Sequence, residues 1–386
     1  MDLNAIREIE RRAEAGEAEA QYALAAICQE RREPDAARQW LERAAAQGHA
    51  DALFTIAGAK LTAAEGARAA CAEAVAGLEE ARAKGSLAAL RALAALTAAG
   101  VVNGGWPAAF ALLREACERG DAAALRETAA LLLDGAPDDV DGAAMLAEAA
   151  RRDPLAAALV ERRKRRGCAP RSGGASVDRA FSALAAPVAK TAPETISERP
   201  KVAAHRAALG PDLCDHLMGR ALPRLRRQEV MLADGSTKPH PHRTAWGAGL
   251  GFGFLDLPAV FAGQTMALAA GAPYANGEAL AILRYRPGEQ YRPHQDYLDK
   301  DDPDLQARGQ RVRTALLYLN DGYAGGETQF VFPDLRFAGK TGDVLVFDNV
   351  DEHGEPDRLA RHAGLPVTSG EKWLATIWFR DRPFSG

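Results

Sequence analysis

LRYRPGEQYRPHQDY (Leu283–Tyr297) reads as a short apolar strand, a Pro-Gly turn and a second extended stretch, ending in a histidine and an aspartate two places apart. On a strand, successive side chains point to opposite faces, so the i, i+2 pair His294 and Asp296 shares one face. One neutral imidazole and one carboxylate facing the same way suit a divalent first-row metal. A third ligand must come from elsewhere in the chain.

Outward from this stretch the pattern is that of short strands. ALAILRY (279–285), RTALLYLN (313–320), TQFVF (328–332), GDVLVFDN (342–349) and KWLATIWFR (372–380) are apolar runs separated by Gly, Pro, Asn and Asp, with a strong turn at AGGE (324–327). Many short strands with turns between them predict a β-sandwich or barrel. GPDLCDHLMGRALPRL (210–225) predicts a helix starting near Pro211 and Asp212.

Eight histidines are available. His49 lies in a helical repeat and His205 and His216 in a helical region, which suits structural or exposed roles. His240 and His242, in KPHPHR, form an HxH pair on a proline-rich loop. The third ligand is then His353 or His362, and spacing excludes neither. With either, the set becomes the two-histidine, one-carboxylate facial triad of non-haem Fe(II) oxygenases, which leaves coordination positions open. An oxygenase using 2-oxoglutarate also needs a cation for the distal carboxylate, and Lys372 opens the last strand ten residues after His362.

The first 166 residues have a different grammar, rich in Ala, Leu, Glu and Arg, with an internal repeat. Gly16, Gly48, Gly85 and Gly120 fall in register, 32, 37 and 35 residues apart, each followed four places later by Ala20, Ala52, Ala89 or Ala124. A fifth, degenerate copy places Asp153 in the glycine slot. Each unit reads as helix, turn, helix, with the glycine ending one helix in the left-handed conformation. Units this short cannot bury an apolar face alone, so they should stack as a solenoid. ERRKRRGCAPRSGGAS (161–176) reads as the end of the array and a linker, its basic run a solvated helix end. Residues 177–200 read as extended and in part poorly ordered.

The chain has 386 residues, 47% hydrophobic and 26% charged, with a net charge of −4. That balance excludes a global basic field for nucleic acid. There is no apolar run long enough to span a membrane, and the charged, helical N-terminus is unlike a signal peptide. Five scattered cysteines without a CxxC pair predict reduced thiols and a cytoplasmic protein.

The C-terminal part resembles the prolyl 4-hydroxylases and their Fe(II)/2-oxoglutarate dioxygenase relatives, through YRPGEQYRPHQDY, GQRVRTALLYLNDGYAGGETQF, GDVLVFDN and RHAGLPVTSGEKWLATIWF. The repeats resemble Sel1-like, tetratricopeptide-related hairpins over roughly residues 10 to 160. The resemblances imply a multidomain α + β chain: an N-terminal α-solenoid of helical hairpins (1–166), a linker (167–200), and a C-terminal double-stranded β-helix, or jelly-roll, with flanking helices (201–386). They make His294, Asp296 and His362 the iron ligands and Lys372 the partner of the 2-oxoglutarate distal carboxylate. They place Tyr285 and Thr328 at the cosubstrate, and Tyr291, Arg311, Trp378 and Arg380 at the substrate. Arg380 stands where some relatives carry histidine, and His353 becomes a loop residue.

The implied cofactors are Fe(II), 2-oxoglutarate and O2, with ascorbate a further candidate. The implied activity is hydroxylation of a protein or peptide held by the repeats, with no nucleic acid or membrane partner. Hydroxylation of a free amino acid or small molecule, and a non-catalytic repeat adaptor, are the alternatives.

Overall fold

The computed structural model describes every residue except 1–2, 65–67, 169–173, 228, 232–236, 240–242 and 385–386; the HxH pair His240 and His242 therefore lies outside the described residues. The chain divides into two compact units, one of residues 1–119 with Phe252–Asp256, the other of residues 120–251 and 257–386. No described helix is long and apolar enough to cross a membrane.

Among the described residues the first unit is an array of seven helices: α1 (Leu3–Glu14), α2 (Ala18–Glu30), α3 (Pro34–Ala46), α4 (Ala50–Ala63), α5 (Arg68–Ala83), α6 (Leu87–Ala98) and α7 (Gly105–Glu118). Each packs on the next in sequence, as in a solenoid. The cores are built from alanine and leucine: Ala57, Leu61, Leu78, Ala89, Leu93 and Leu96 form one cluster, and Ala13, Ala20, Leu24 and Ile27 another.

The repeat glycines Gly16, Gly48, Gly85 and Gly120 have φ of +95°, +80°, +103° and +79°, the left-handed region that a Cβ disfavours. One residue later comes the N-cap of the following helix: Glu17, His49, Ser86 or Asp121. The register alanine contributes the third N–H of that helix, and in three copies the cap side chain accepts it: His49 Nδ1 from Ala52 at 3.2 Å, Ser86 Oγ from Ala89 at 3.3 Å, Asp121 Oδ1 from Ala124 at 3.1 Å. This corrects the fifth copy by one position. Asp153 is the N-cap, accepting from the buried Ala156 at 2.8 Å, and Arg152 holds the glycine slot.

The second unit opens with the last copies of the repeat, α8 (Ala122–Gly135), α9 (Val140–Ala149) and α10 (Pro154–Arg165). The repeat grammar and the packing therefore divide the chain at different places. The reason lies in the basic run, which is not a solvated end. Arg163 pairs with Asp212 at 2.5 Å, Arg162 with Asp215 at 2.8 Å, and Arg166 with both aspartates, which lie on a helix at Pro211–Ala221. Residues 177–200 are also more ordered than their composition suggests. They form α11 (Val177–Ala183), whose Arg179 pairs with Asp141, and β1 (Glu194–Glu198), an edge strand.

The remaining elements are β2 (Lys201–His205), α12 (Pro211–Ala221), β3 (Arg226–Arg227), β4 (Glu229–Met231), β5 (Thr237–Pro239), β6 (Trp246–Leu250), α13 (Leu257–Ala270), β7 (Leu280–Tyr285), β8 (Tyr291–His294), α14 (Pro303–Arg308), β9 (Arg311–Tyr318), β10 (Ala324–Gly325), β11 (Thr328–Phe330), β12 (Leu335–Phe337), β13 (Val344–Asp348), β14 (His362–Gly364), β15 (Val367–Ser369) and β16 (Lys372–Arg380). They build an eight-stranded sheet, β1-β2-β13-β9-β16-β7-β6-β3, and a four-stranded sheet, β12-β11-β14-β8, both antiparallel. Leu283, Leu316, Phe347 and Leu374 of the larger sheet pack with Phe330 and Phe337 of the smaller, the two-sheet core of a jelly-roll. Helix α13 covers β9 and β13.

Candidate metal centre and cosubstrate cavity

Strands β8 and β14 pair with His294 opposite His362, so two residues 68 apart in sequence meet across one ladder. Their rings lie 4.3 Å apart. Asp296 is not on the strand: β8 ends at His294, and the buried carboxylate arrives from the following loop. His294 Nε2 lies 3.4 Å from Asp296 Oδ1 and His362 Nε2 3.6 Å from Oδ2. The three ligand atoms lie within 4.8 Å of one another, the only such group among the described residues.

Each histidine is oriented by its own backbone. His294 Nδ1 is 2.9 Å from the carbonyl of Arg292 and His362 Nδ1 is 3.0 Å from that of Ala360. A carbonyl only accepts, so Nδ1 carries the proton in both rings and Nε2 presents its lone pair to the common centre. Burial, with His294 beside it, pushes His362 down to about 4, so this imidazole is neutral near pH 7. Burial pushes the Asp296 carboxyl upward, but the facing histidines and the Thr314 hydroxyl outweigh it and hold it well below the usual range. Two Nε2 donors and one carboxylate fit a divalent first-row metal.

The cavity beside this centre follows from strand alternation. Lys372, Leu374, Thr376 and Trp378 of β16 all line it, with Leu283 and Tyr285 of β7 and Leu316 of β9. Lys372 is buried and sits opposite Tyr285 in the ladder. Desolvation pushes its pKa down to about 8. Its Nζ donates to the carbonyl of Gly326 at 2.6 Å and lies over the rings of Tyr285 and Tyr318. That leaves two of its three N–H donors for a ligand. Gly326 has φ +71°, and a Cβ there would stand 3.3 Å from the Lys372 stem, so glycine keeps the carbonyl in reach. Thr328 also lines the cavity, its Oγ1 2.7 Å from the Tyr318 hydroxyl.

Tyr291 forms a wall. Its ring stacks 3.4 Å from that of His294, with the Arg243 guanidinium 4.7 Å away on the ring. Burial pushes its hydroxyl up to about 12. The structure separates the remaining three residues expected at the substrate. Trp378 lines the cavity, whereas Arg311 and Arg380 do not. Arg311 makes a two-pronged pair with Glu278, at 2.6 and 2.8 Å, and lies over the Trp378 ring. Arg380 is fully buried and donates to Glu278, Asp304 and the carbonyl of Gly309. Its donors are committed to the protein, and it stabilises the end of β16. His353 is exposed.

Among the cavity residues that sequence reading missed are Thr376, Arg243 and Leu283. Thr376 follows from the period-two spacing with Lys372. Its Oγ1, like Trp378 Nε1, is buried without a hydrogen-bond partner. Arg243, in KPHPHR, borders a stretch read only for its histidines. Leu283 was read only as part of a strand, and it contributes apolar wall.

Residues 280–380 match the 2OG-Fe(II) oxygenase superfamily. An Arabidopsis thaliana protein named prolyl 4-hydroxylase 1 is 34% identical over 208 residues, 50% of this chain and 73% of that protein. Among solved structures, a viral collagen prolyl hydroxylase from Paramecium Bursaria Chlorella virus-1, in its 2OG complex, is 26% identical, with 46% of this chain and 95% of that chain covered and a TM-score of 0.36. A Sel1 repeat protein from Oxalobacter formigenes is 22% identical, with 43% and 73% covered and a TM-score of 0.33.

Proposed function

Because this chain belongs to the prolyl 4-hydroxylase family of 2OG-Fe(II) oxygenases, we propose that it hydroxylates prolyl residues of a protein or peptide, with His294, Asp296 and His362 holding the iron. It is a 2-oxoglutarate-dependent dioxygenase whose cofactors are Fe(II), 2-oxoglutarate and O2. The observation that carries the site assignment is the convergence of two Nε2 lone pairs and one buried carboxylate beside a cavity that also holds a buried lysine. Bound Fe(II), with 2-oxoglutarate and O2, supplies oxidative decarboxylation to succinate and CO2 coupled to hydroxylation of a C–H bond.

The protein's own residues bind and exclude. Lys372 offers its two remaining N–H donors to the distal carboxylate, joined by the Tyr285 hydroxyl and by Thr328. The surrounding tyrosine rings and Leu283, Leu316 and Leu374 keep water out, which strengthens the ion pair. Tyr291, Arg243 and Trp378 face the substrate, and the unpartnered Trp378 Nε1 is a donor for a main-chain carbonyl. Arg311 acts on that surface through Trp378, over which it lies. The helical repeats bind or position the target protein. All five cysteines are unpaired, which supports a cytoplasmic setting.

The test uses the full chain with Fe(II), 2-oxoglutarate and ascorbate on proline-containing proteins and peptides, read by mass spectrometry. A one-oxygen mass gain at proline, absent with His294→Ala, is the expected result. Oxygen addition at another residue, or to a free amino acid only, overturns the prolyl reading. No turnover of 2-oxoglutarate overturns the site.

A further inference from the structure

Two polar side chains behind the candidate centre are fully buried, Thr314 on β9 and Asn349 just past the end of β13. The Thr314 hydroxyl lies 2.7 Å from Asp296 Oδ2, and Asn349 Nδ2 lies 2.9 Å from Thr314 Oγ1. The chain of bonds has one direction. A carboxylate only accepts, so Thr314 donates to it. A hydroxyl has one proton, so Thr314 then accepts from Asn349, which must present its NH2. Asn349 is pinned for this by its backbone, whose N–H donates to the carbonyl of Val312 at 2.9 Å and whose carbonyl accepts from Asp357 N–H at 3.0 Å.

The amide has a cost that packing alone does not explain. Asn349 Oδ1 is buried with no hydrogen-bond partner. A leucine, with the same branching at Cγ, would occupy the position without stranding an acceptor. What leucine could not do is fix the direction of the Thr314 hydroxyl.

We propose that Asn349 and Thr314 form a positioning relay for Asp296, holding Oδ2 and leaving Oδ1 to the metal. Asp296 comes from a loop, not from a strand, so its orientation needs this outside support, whereas the two histidines are oriented by adjacent carbonyls. A carboxylate held by one oxygen occupies one coordination position. Attachment through both oxygens would take a second, which the facial triad leaves for cosubstrate and O2. The relay rests on the metal assignment proposed above.

The test titrates the full, metal-free chain with Fe(II) alone without oxygen, and records the visible spectrum of its Co(II) form, which responds to coordination number. Thr314→Val keeps shape and removes the hydroxyl. It is expected to weaken Fe(II) binding about 10- to 100-fold and to alter the Co(II) spectrum. Thr314→Ser restores both toward wild type, and Asn349→Leu gives a smaller change in the same direction.

Wild-type affinity and spectrum in Thr314→Val overturn the relay. So does equal loss in Thr314→Ser, which would assign the effect to packing. If Thr314→Val does not fold, Asn349→Leu decides: an unchanged spectrum and affinity there overturn the directional role. Equal Fe(II) binding by wild type and His294→Ala would instead overturn the metal site itself, so the two failures are distinct.

Discussion

The repeats before and after residue 120 share one grammar and bury different chemistry. Helices α1–α7 bury alanine and leucine, and their buried polar residues are Gln21, Ser86 and Thr97, with no charged side chain among the described ones. Helices α8–α10, two of which (α8 and α10) keep the cap-and-alanine spacing, bury Arg126, Glu127, Asp134, Asp141 and Arg163. Most of these charges find partners outside the repeat. Arg163 meets Asp212, Asp141 meets Arg179, and Asp134 accepts from the Gly210 N–H and pairs with Lys190. At Asp134, Asp141 and Arg163 a buried charge thus marks attachment to something other than the next repeat, whereas Arg126 pairs with Asp153 at the cap of the next one.

The largest effect separates the two groups by truncation. A chain starting at residue 120 keeps the whole second unit, together with Phe252–Asp256, which cluster with the first, and is expected to turn over 2-oxoglutarate. A chain starting at residue 167 leaves Asp212 and Asp215 without Arg162, Arg163 and Arg166 and Lys190 without Asp134, and it exposes the apolar faces of α12, so it is expected to be insoluble or inactive. Succinate release by the two proteins, purified side by side, checks this; equal activity would erase the distinction between the repeat groups.

The same contrast appears at single residues. Removing one member of a buried pair leaves an uncompensated charge, which costs about 3–5 kcal/mol. Arg163→Met is expected to fall in this range, since both partners are about 7% exposed. In the first unit the Arg82–Glu115 pair is 35% and 40% exposed, and Arg82→Ala is expected to cost about 0–1 kcal/mol. Urea unfolding of the two variants measures the difference.

Much of this was legible from sequence, and what was not has physical reasons. Glycine register and strand alternation are local, so the hairpins and the strands β7, β9, β13 and β16 were readable. The partner of His294 was not, because ladder register is set by pairing across 68 residues; the resemblance, not the spacing, selected His362 over His353. The fate of Arg380 and of the basic run at 161–166 was hidden for a related reason. Charge in a sequence carries no sign of whether its counter-charge is solvent or a buried aspartate far along the chain. Asn349 and Thr314 were read only as parts of strand runs, since side chains behind a ligand carry no motif.

Lys372 tests whether the chemistry belongs to the second unit alone. Lys372→Met is expected to raise the 2-oxoglutarate requirement about 10- to 100-fold, the loss of a charge-assisted bond, with Fe(II) binding retained, and by the same factor in the full chain and in the chain from residue 120. Its pH dependence has a definite sign. The folded pKa of about 8 lies below the ordinary lysine value of 10.5, so the unfolded chain holds the extra proton between these values. Stability of the ligand-free protein therefore rises with pH across that window. Cosubstrate affinity moves the other way, falling above about pH 8 as the ammonium is lost. Calorimetric titration from pH 7 to 9.5 reads both limbs against Lys372→Arg, which should lack the alkaline fall.

The smallest effects return to the caps, where the repeats look most alike. Ser86→Ala removes one side-chain acceptor from the start of α6 and is expected to cost about 1 kcal/mol. Asp153→Ala removes the equivalent acceptor from α10, but Asp153 Oδ2 is also 2.9 Å from Arg126, whose side chain is 5% exposed. Its loss strands a buried guanidinium as well as a helix end, and the cost is expected to be nearer 3 kcal/mol. Asp153→Asn keeps the cap and removes the charge, so it isolates the ion-pair share. Near-equal losses for Ser86→Ala and Asp153→Ala would mean that the buried Arg126–Asp153 pair, which joins α8 to the cap of α10, adds nothing to the cap itself, and that the charge buried between these two repeats does not stabilise them beyond the uncharged repeats of the first unit.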